Sequence, residues 1–142
     1  MSFTSTELLM LLLRSLRERR IRGRTRLQKI VFLLEEQGID FGYEFKPYLY
    51  GPYSETLKGN LSMLTELGLV NEESEEIEYD GVVHDRYVYS LTTEGRRFAD
   101  RIEAKSPETN RRLGELVDDV QDMSTGSLIL SSKYIINEKL SK

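Results

Sequence analysis

The 142-residue chain carries 20 basic and 24 acidic side chains, a net charge of −4, and is 39% apolar and 31% charged. That composition describes a soluble globular domain with room for a real core. With no cysteine and a single histidine, His84, disulfides and thiolate zinc sites are excluded. The usual Ser-His or Cys-His nucleophile pairs are excluded too, unless His84 serves.

Thr4 followed by Glu7 reads as a capping box. The helix it opens carries a wide apolar stripe (Leu8, Leu9, Leu12, Leu13, Leu16) that needs burial on more than one side, and its expected end is near Arg20. The run Leu8 to Leu13 follows acidic Glu7 and precedes arginines, the wrong order for a signal peptide, and six residues are too short for a bilayer. We therefore expect a cytoplasmic protein with no membrane contact. Gly23 breaks the first helix. Arg24 or Thr25 opens a second, with Leu27, Ile30, Val31 and Leu34 on its core face, Phe32 and Leu33 beside it, and Gly38 at its close. From Ile39 to Tyr50 the aromatics Phe41, Tyr43, Phe45, Tyr48 and Tyr50 alternate loosely with polar residues. Pro47 predicts an irregular segment with a short edge strand. The plain reading of these aromatics is core and rim packing; the alternative is an aromatic-lined groove for a partner.

The stretch Tyr48 to Val70 organises the rest. Gly51-Pro52 makes a turn, Ser54 is placed to cap a new helix, and Leu57, Leu61 and Leu64 recur at helical spacing, with Met63 and Leu67 expected to widen the stripe. The opposite face presents Glu55, Lys58, Ser62, Thr65 and Glu66. Gly68 fits a left-handed C-cap. Val70 to Tyr79 and Val83 to Leu91 read as two strands around Asp80-Gly81, a strong hairpin signal. Tyr87, Tyr89 and Leu91 share one side of the return strand. Thr92 caps a helix that packs Phe98 and Ile102 inward, and Ser106-Pro107 separates it from one carrying Leu113, Leu116, Val117 and Val120. After a break at Met123 to Gly126, a last helix carries Leu128, Ile129, Leu130, Tyr134, Ile135 and Leu140.

Charge is segregated along the chain. Arg14, Arg17, Arg19, Arg20, Arg22, Arg24, Arg26 and Lys29 are accompanied by one acid, Glu18, whereas the run EESEEIEYD from Glu72 to Asp80 has no basic residue. Either pole is a candidate partner surface, or the two meet within the fold or across a dimer.

Leu61, Leu64, Gly68, Leu69 and Val70, followed by Arg86, Tyr89, Leu91, Thr92 and Gly95 in the motif YSLTTEGRRF, resemble winged-helix regulators of the PadR and MarR kind over Leu61 to Phe98. Upstream, RLQKIVFLL and YLYGPYS resemble uncharacterised winged-helix-like proteins of bacteria and archaea. More distantly they are similar to the Panacea-type antitoxin domain, whose signature couples LQK-type helices to a Gly-Pro turn and which neutralises partner proteins rather than reading DNA. The resemblances imply an α+β, mostly helical fold: a winged helix-turn-helix with a β-hairpin wing over residues 1–105, and extra C-terminal helices over 106–142 for packing or homodimerisation. One departure is the long Gly38 to Tyr50 segment, where a compact helix-turn-helix has a few residues.

The leading expectation is a DNA-binding transcriptional regulator on double-stranded DNA. Ser54, Thr56, Lys58 and Asn60 would face the major groove, and Arg17, Arg20, Arg22, Arg24 and Arg26 would contact phosphate. The acidic wing (Glu72, Glu73, Glu75, Glu76, Glu78) opposes it, because carboxylates repel phosphate. The alternative is an antitoxin-like adaptor that binds a partner protein through the acidic hairpin or the Tyr43 to Tyr53 segment. An enzyme is the weakest reading: Asp118 and Asp122 share a helical face without a histidine or cysteine, and no Gly-rich phosphate loop is present. We expect no cofactor, metal or catalytic residue.

Overall fold

A computed structural model describes residues 2–141. Its elements are α1 (Ser5–Ser15), β1 (Arg20–Arg22), α2 (Arg24–Glu36), β2 (Lys46–Tyr48), β3 (Gly51–Tyr53), α3 (Glu55–Glu66), β4 (Val70–Tyr79), β5 (Val82–Leu91), α4 (Thr93–Ile102), α5 (Pro107–Val120) and α6 (Thr125–Leu140), with a 3-10 turn at Glu103–Lys105. Strands β1, β5 and β4 form an antiparallel sheet in that order, and β2 and β3 form a separate two-stranded ribbon. The chain is thus α+β and mostly helical.

Two helices form the centre. In α1 the reciprocal bonds between Thr4 and Glu7 fix the start, and all six residues from Leu8 to Leu13 are buried. A helix apolar on every side must be covered on every side, and α3, α4, α5 and the sheet cover this one. In α2 every residue from Leu27 to Leu34 is buried, including Gln28 and Lys29. Leu113 and Val117 of α5 and Leu128 and Ile136 of α6 join the same core as these two helices.

The first helix does not reach Arg20. It ends at Ser15, and Arg20–Arg22 instead becomes an edge strand on β5, pairing Arg20 with Ser90, Ile21 with Tyr89 and Arg22 with Val88. The physical reason is Ile21, which the sheet buries to 3% exposure; helix continuation would forfeit that site and the strand's backbone bonds.

In α3 the expected stripe is narrower than its apolar content suggests. Leu57, Leu61 and Leu64 are buried, whereas Met63 and Leu67 are exposed at 43% and 64%, since they lie beyond the arc that a single packed face covers. The helix closes in a Schellman motif: the Leu69 amide donates to Leu64 O and the Gly68 amide to Thr65 O, with Gly68 at φ +75°. Similarly, Leu130, Tyr134 and Leu140 of α6 point outward, and Gly126 lies inside that helix rather than in the preceding break.

The β4–β5 hairpin pairs in register from Val70–Leu91 to Tyr79–Val82. Asp80 and Gly81 both have positive φ, as the tightest right-twisting turn requires. Val83 sits opposite Glu78. Where β5 meets α4, Thr92 Oγ1 accepts the Gly95 amide at 3.0 Å and donates to Gly68 O at 2.6 Å, so one hydroxyl caps α4 and ties it to the end of α3.

Candidate functional site: two grooves beside the second helix

The aromatics of the Ile39 to Tyr53 segment divide. Phe41 and Tyr43 are buried, with Phe45 packed beside them and Phe32 edge-on to Phe45 at 5.2 Å; these follow the plain core reading. Tyr48, Leu49 and Tyr50 are 55%, 84% and 64% exposed at the tip of the β2–β3 ribbon.

The return strand of the ribbon and the residue after it are held by two polar residues of α2. The Gln28 amide donates to Ser54 O at 2.9 Å and accepts the Ser54 amide at 2.8 Å; Lys29 Nζ donates to Pro52 O at 2.9 Å. Both side chains are buried, Lys29 at 3% exposure. The adjacency of Gln28 and Lys29 in an apolar helix and of Gly51-Pro52 ahead of α3 is therefore a latch, aligning the ribbon with the start of α3. Gly51 (φ +101°) has Ser132 Oγ and Lys29 Cε packed where a side chain would begin.

Between ribbon, α2, α3 and the root of the hairpin lies a groove of about 370 Å³. Leu27, Leu57 and Leu61 line it with Tyr48, Tyr50, Tyr53 and Tyr89, and Arg24, Lys29 and Lys58 contribute its cations. Its acid, Glu72, accepts the Tyr89 hydroxyl at 2.7 Å; burial first, and this carboxylate second, push the Tyr89 phenol up. Burial pushes the Lys29 ammonium down to about 8, since among the described residues no carboxylate offsets its lost hydration. Unfolded, this lysine holds its proton to about 10.5, so between those limits the unfolded chain binds more protons and stability rises with pH. From pH 8 to 10, wild-type stability should therefore rise by on the order of 2 kcal/mol more than that of Lys29→Met, by denaturant titration at each pH. Parallel curves would contradict this.

A second cleft, of about 520 Å³, is lined by Arg17, Arg20, Arg22, Arg26 and Arg86 together with Glu18, Gln121 and Asp122. The structure thus brings together four of the five arginines expected on phosphate, and commits most of them internally. Arg17 pairs with Asp122 at 2.7 Å, and Arg22 with Glu18 at 3.2 Å and Glu75 at 3.5 Å. Arg86 pairs with Glu75 at 2.5 Å. Arg26 donates to Gln121 O at 2.5 Å, and burial lowers its pKa. Among the described residues only Arg20 of this set has no ion pair or side-chain hydrogen bond. Arg24 lies in the other groove, its guanidinium 4.5 Å over the Tyr87 ring. Basic and acidic poles therefore meet within the fold, through Glu75.

The α3 candidates also separate. Ser54 is fully buried, capping the helix through the Leu57 amide, and Asn60 donates to the Tyr43 hydroxyl at 2.9 Å. Thr56 and Lys58 are exposed. The first groove, which α3 lines, shares no lining residue with the arginine cleft. Gln28, Lys29 and Tyr89 are not among the expected contact residues, whereas Tyr53 belongs to the Tyr43 to Tyr53 segment expected to meet a partner. The signal available for the first two was a polar pair interrupting an apolar helix.

His84 is exposed in the hairpin opposite Ile77. Among the described residues no group of three or more His, Asp or Glu is placed to hold a metal, and no helix is long and apolar enough to cross a membrane. No family model matches the chain. It is similar to the uncharacterized protein YwgA of Bacillus subtilis (strain 168), 31% identical over 113 residues; the match takes in 80% of this chain and spans only 63% of that relative's length.

Proposed function

We propose that the chain is a protein-binding adaptor of the antitoxin-like kind, built on a winged-helix unit (residues 1–105) whose β4–β5 wing carries acid rather than base. The C-terminal helices (106–142) complete its core and offer the exposed Leu130 and Tyr134 as a homodimer contact. The observation that carries this reading is the ribbon tip. Tyr48, Leu49 and Tyr50 stand exposed at the edge of an apolar groove, and exposed tyrosine beside an apolar pocket is the composition of a protein-interface anchor. The internal pairing of the arginines supports it, as they would have to leave Asp122, Glu18 and Glu75 to reach phosphate.

A photo-crosslinking residue installed in place of Tyr50 should give discrete adducts with a protein in the cell. The same residue in place of Glu115, exposed on α5, should give none. Adducts with nucleic acid alone, or none from position 50, would contradict the adaptor reading. The second reading, a DNA-binding regulator, is favoured by the convergence of five arginines on one cleft, with Arg20 unpaired among the described residues.

A further inference from the structure

The first groove has a charge pattern that selects among protein partners. Three cations border it, and its single carboxylate, Glu72, is already bonded to Tyr89. Lys29 is the telling group. It is 3% exposed and lines the groove, an ammonium has three N–H donors, and the fold engages one of them, at Pro52 O. A buried ammonium without a carboxylate is costly, and an incoming anion would offset that cost. The Arg24 guanidinium carbon lies 4.5 Å over the Tyr87 ring, and among the described residues its N–H donors make no ion pair or hydrogen bond, so they are open to an acceptor. Lys58 stands exposed on α3 with no ion pair among the described residues. The apolar surface that would accompany such an anion is present in Leu57, Leu61, Tyr50 and Tyr53.

Resting on the adaptor reading above, we infer that this groove seats an extended acidic segment of the partner protein, an apolar side chain entering between the tyrosines and the adjacent Asp or Glu meeting Lys29, Arg24 and Lys58. Most of the acidic wing is kept from this field, since Glu75 is paired with Arg22 and Arg86. Glu76 and Glu78 lie four and six residues beyond Glu72 along β4, roughly 13 and 20 Å at the rise of a strand, which exceeds the screening length of about 8 Å at physiological salt.

The test is selection of phage-displayed random heptapeptides on the immobilised full chain. Enriched peptides should share an apolar residue within two positions of Asp or Glu. Their binding should fall about tenfold or more in Lys58→Glu and Tyr50→Ala, both surface changes that leave the core intact, and in Lys29→Met. It should be unchanged in Glu76→Gln/Glu78→Gln. Basic peptides whose binding is lost in Glu76→Gln/Glu78→Gln would overturn the groove assignment while leaving protein binding standing. So would no enrichment with protein crosslinks from position 50 intact, or enrichment indifferent to Tyr50→Ala. A dimer by light scattering that Tyr50→Ala dissolves would show a second copy on the groove and overturn the inference as well. No enrichment together with crosslinks to nucleic acid alone would remove the adaptor reading itself.

Discussion

Gly95→Ala should destabilise the protein by about 3 kcal/mol or more, lowering the melting temperature by roughly 10 °C. Helix propensity predicts the opposite sign, since alanine is favoured over glycine inside a helix by up to about 1 kcal/mol. The difference lies in packing. A Cβ at Gly95 would stand 2.0 Å from Leu69 O and 2.9 Å from Leu69 C. These are backbone atoms held by the Schellman end of α3 and by the Thr92 amide, which donates to the same carbonyl at 3.1 Å. Relief would require α4 to move off the α3–β4 junction, breaking the Thr92 bonds to Gly68 and Gly95. Gly114 in α5 is the control: among the described residues nothing outside the helix's own adjoining backbone lies within 4 Å of its added Cβ, so Gly114→Ala should stabilise by a few tenths to about 1 kcal/mol. Thermal unfolding of the two variants side by side checks both signs.

Gln28→Ala is the second large effect, about 3 kcal/mol. Truncation leaves the buried Ser54 amide without the acceptor it has at 2.8 Å, and leaves the Ser54 carbonyl only the Lys58 amide at 3.3 Å once the 2.9 Å bond from Gln28 is gone. The orphaned amide costs about 1–3 kcal/mol, the weakened carbonyl adds to it, and so does the lost side-chain volume. Because Ser54 is also the cap of α3, the damage should be local as well as global. Amide exchange at Ser54 and Leu57 should accelerate more than at Leu12, deep in α1. Gln28→Glu should fall between wild type and alanine: a carboxylate still accepts from the Ser54 amide but cannot donate to its carbonyl. Equal exchange at all three amides would mean that Gln28 only fills space.

These two residues also show where reading the chain alone runs out. The Thr4 and Ser54 caps, the Asp80-Gly81 turn and the Gly68 stop depend on residues a few positions apart, so local chemistry was enough to place them. The Thr92–Gly95 pair was recognised as the start of α4, but the demand on Gly95 comes from Leu69, twenty-six positions earlier, and no local pattern contains it. Strand β1 escaped for a related reason: Arg20–Arg22 reads as the polar end of a helix until β5 arrives beside it to bury Ile21. Gln28 and Lys29 look like an outward face because polar residues in helices usually are. Only the Gly51–Ser54 turn, folded against them, makes inward positions satisfiable. The first groove was half legible, as an aromatic segment with an open role. Its cations come from α2 and α3 and its walls from the ribbon and hairpin root, a juxtaposition that no single stretch displays.

Binding to random-sequence duplex DNA, followed from about 20 to 200 mM salt, separates an adaptor from a DNA reader. Log affinity falls against log salt with a slope near −0.9 per phosphate neutralised. With Arg17, Arg22 and Arg86 paired to carboxylates and Arg26 bonded to Gln121, the adaptor should bind weakly with a slope shallower than about −3, the share left among the candidate residues to Arg20, Arg24 and Lys58. A slope of about −4 or steeper, lost when Arg17, Arg20, Arg22 and Arg26 are replaced, would place the arginine cleft on phosphate and contradict the adaptor reading.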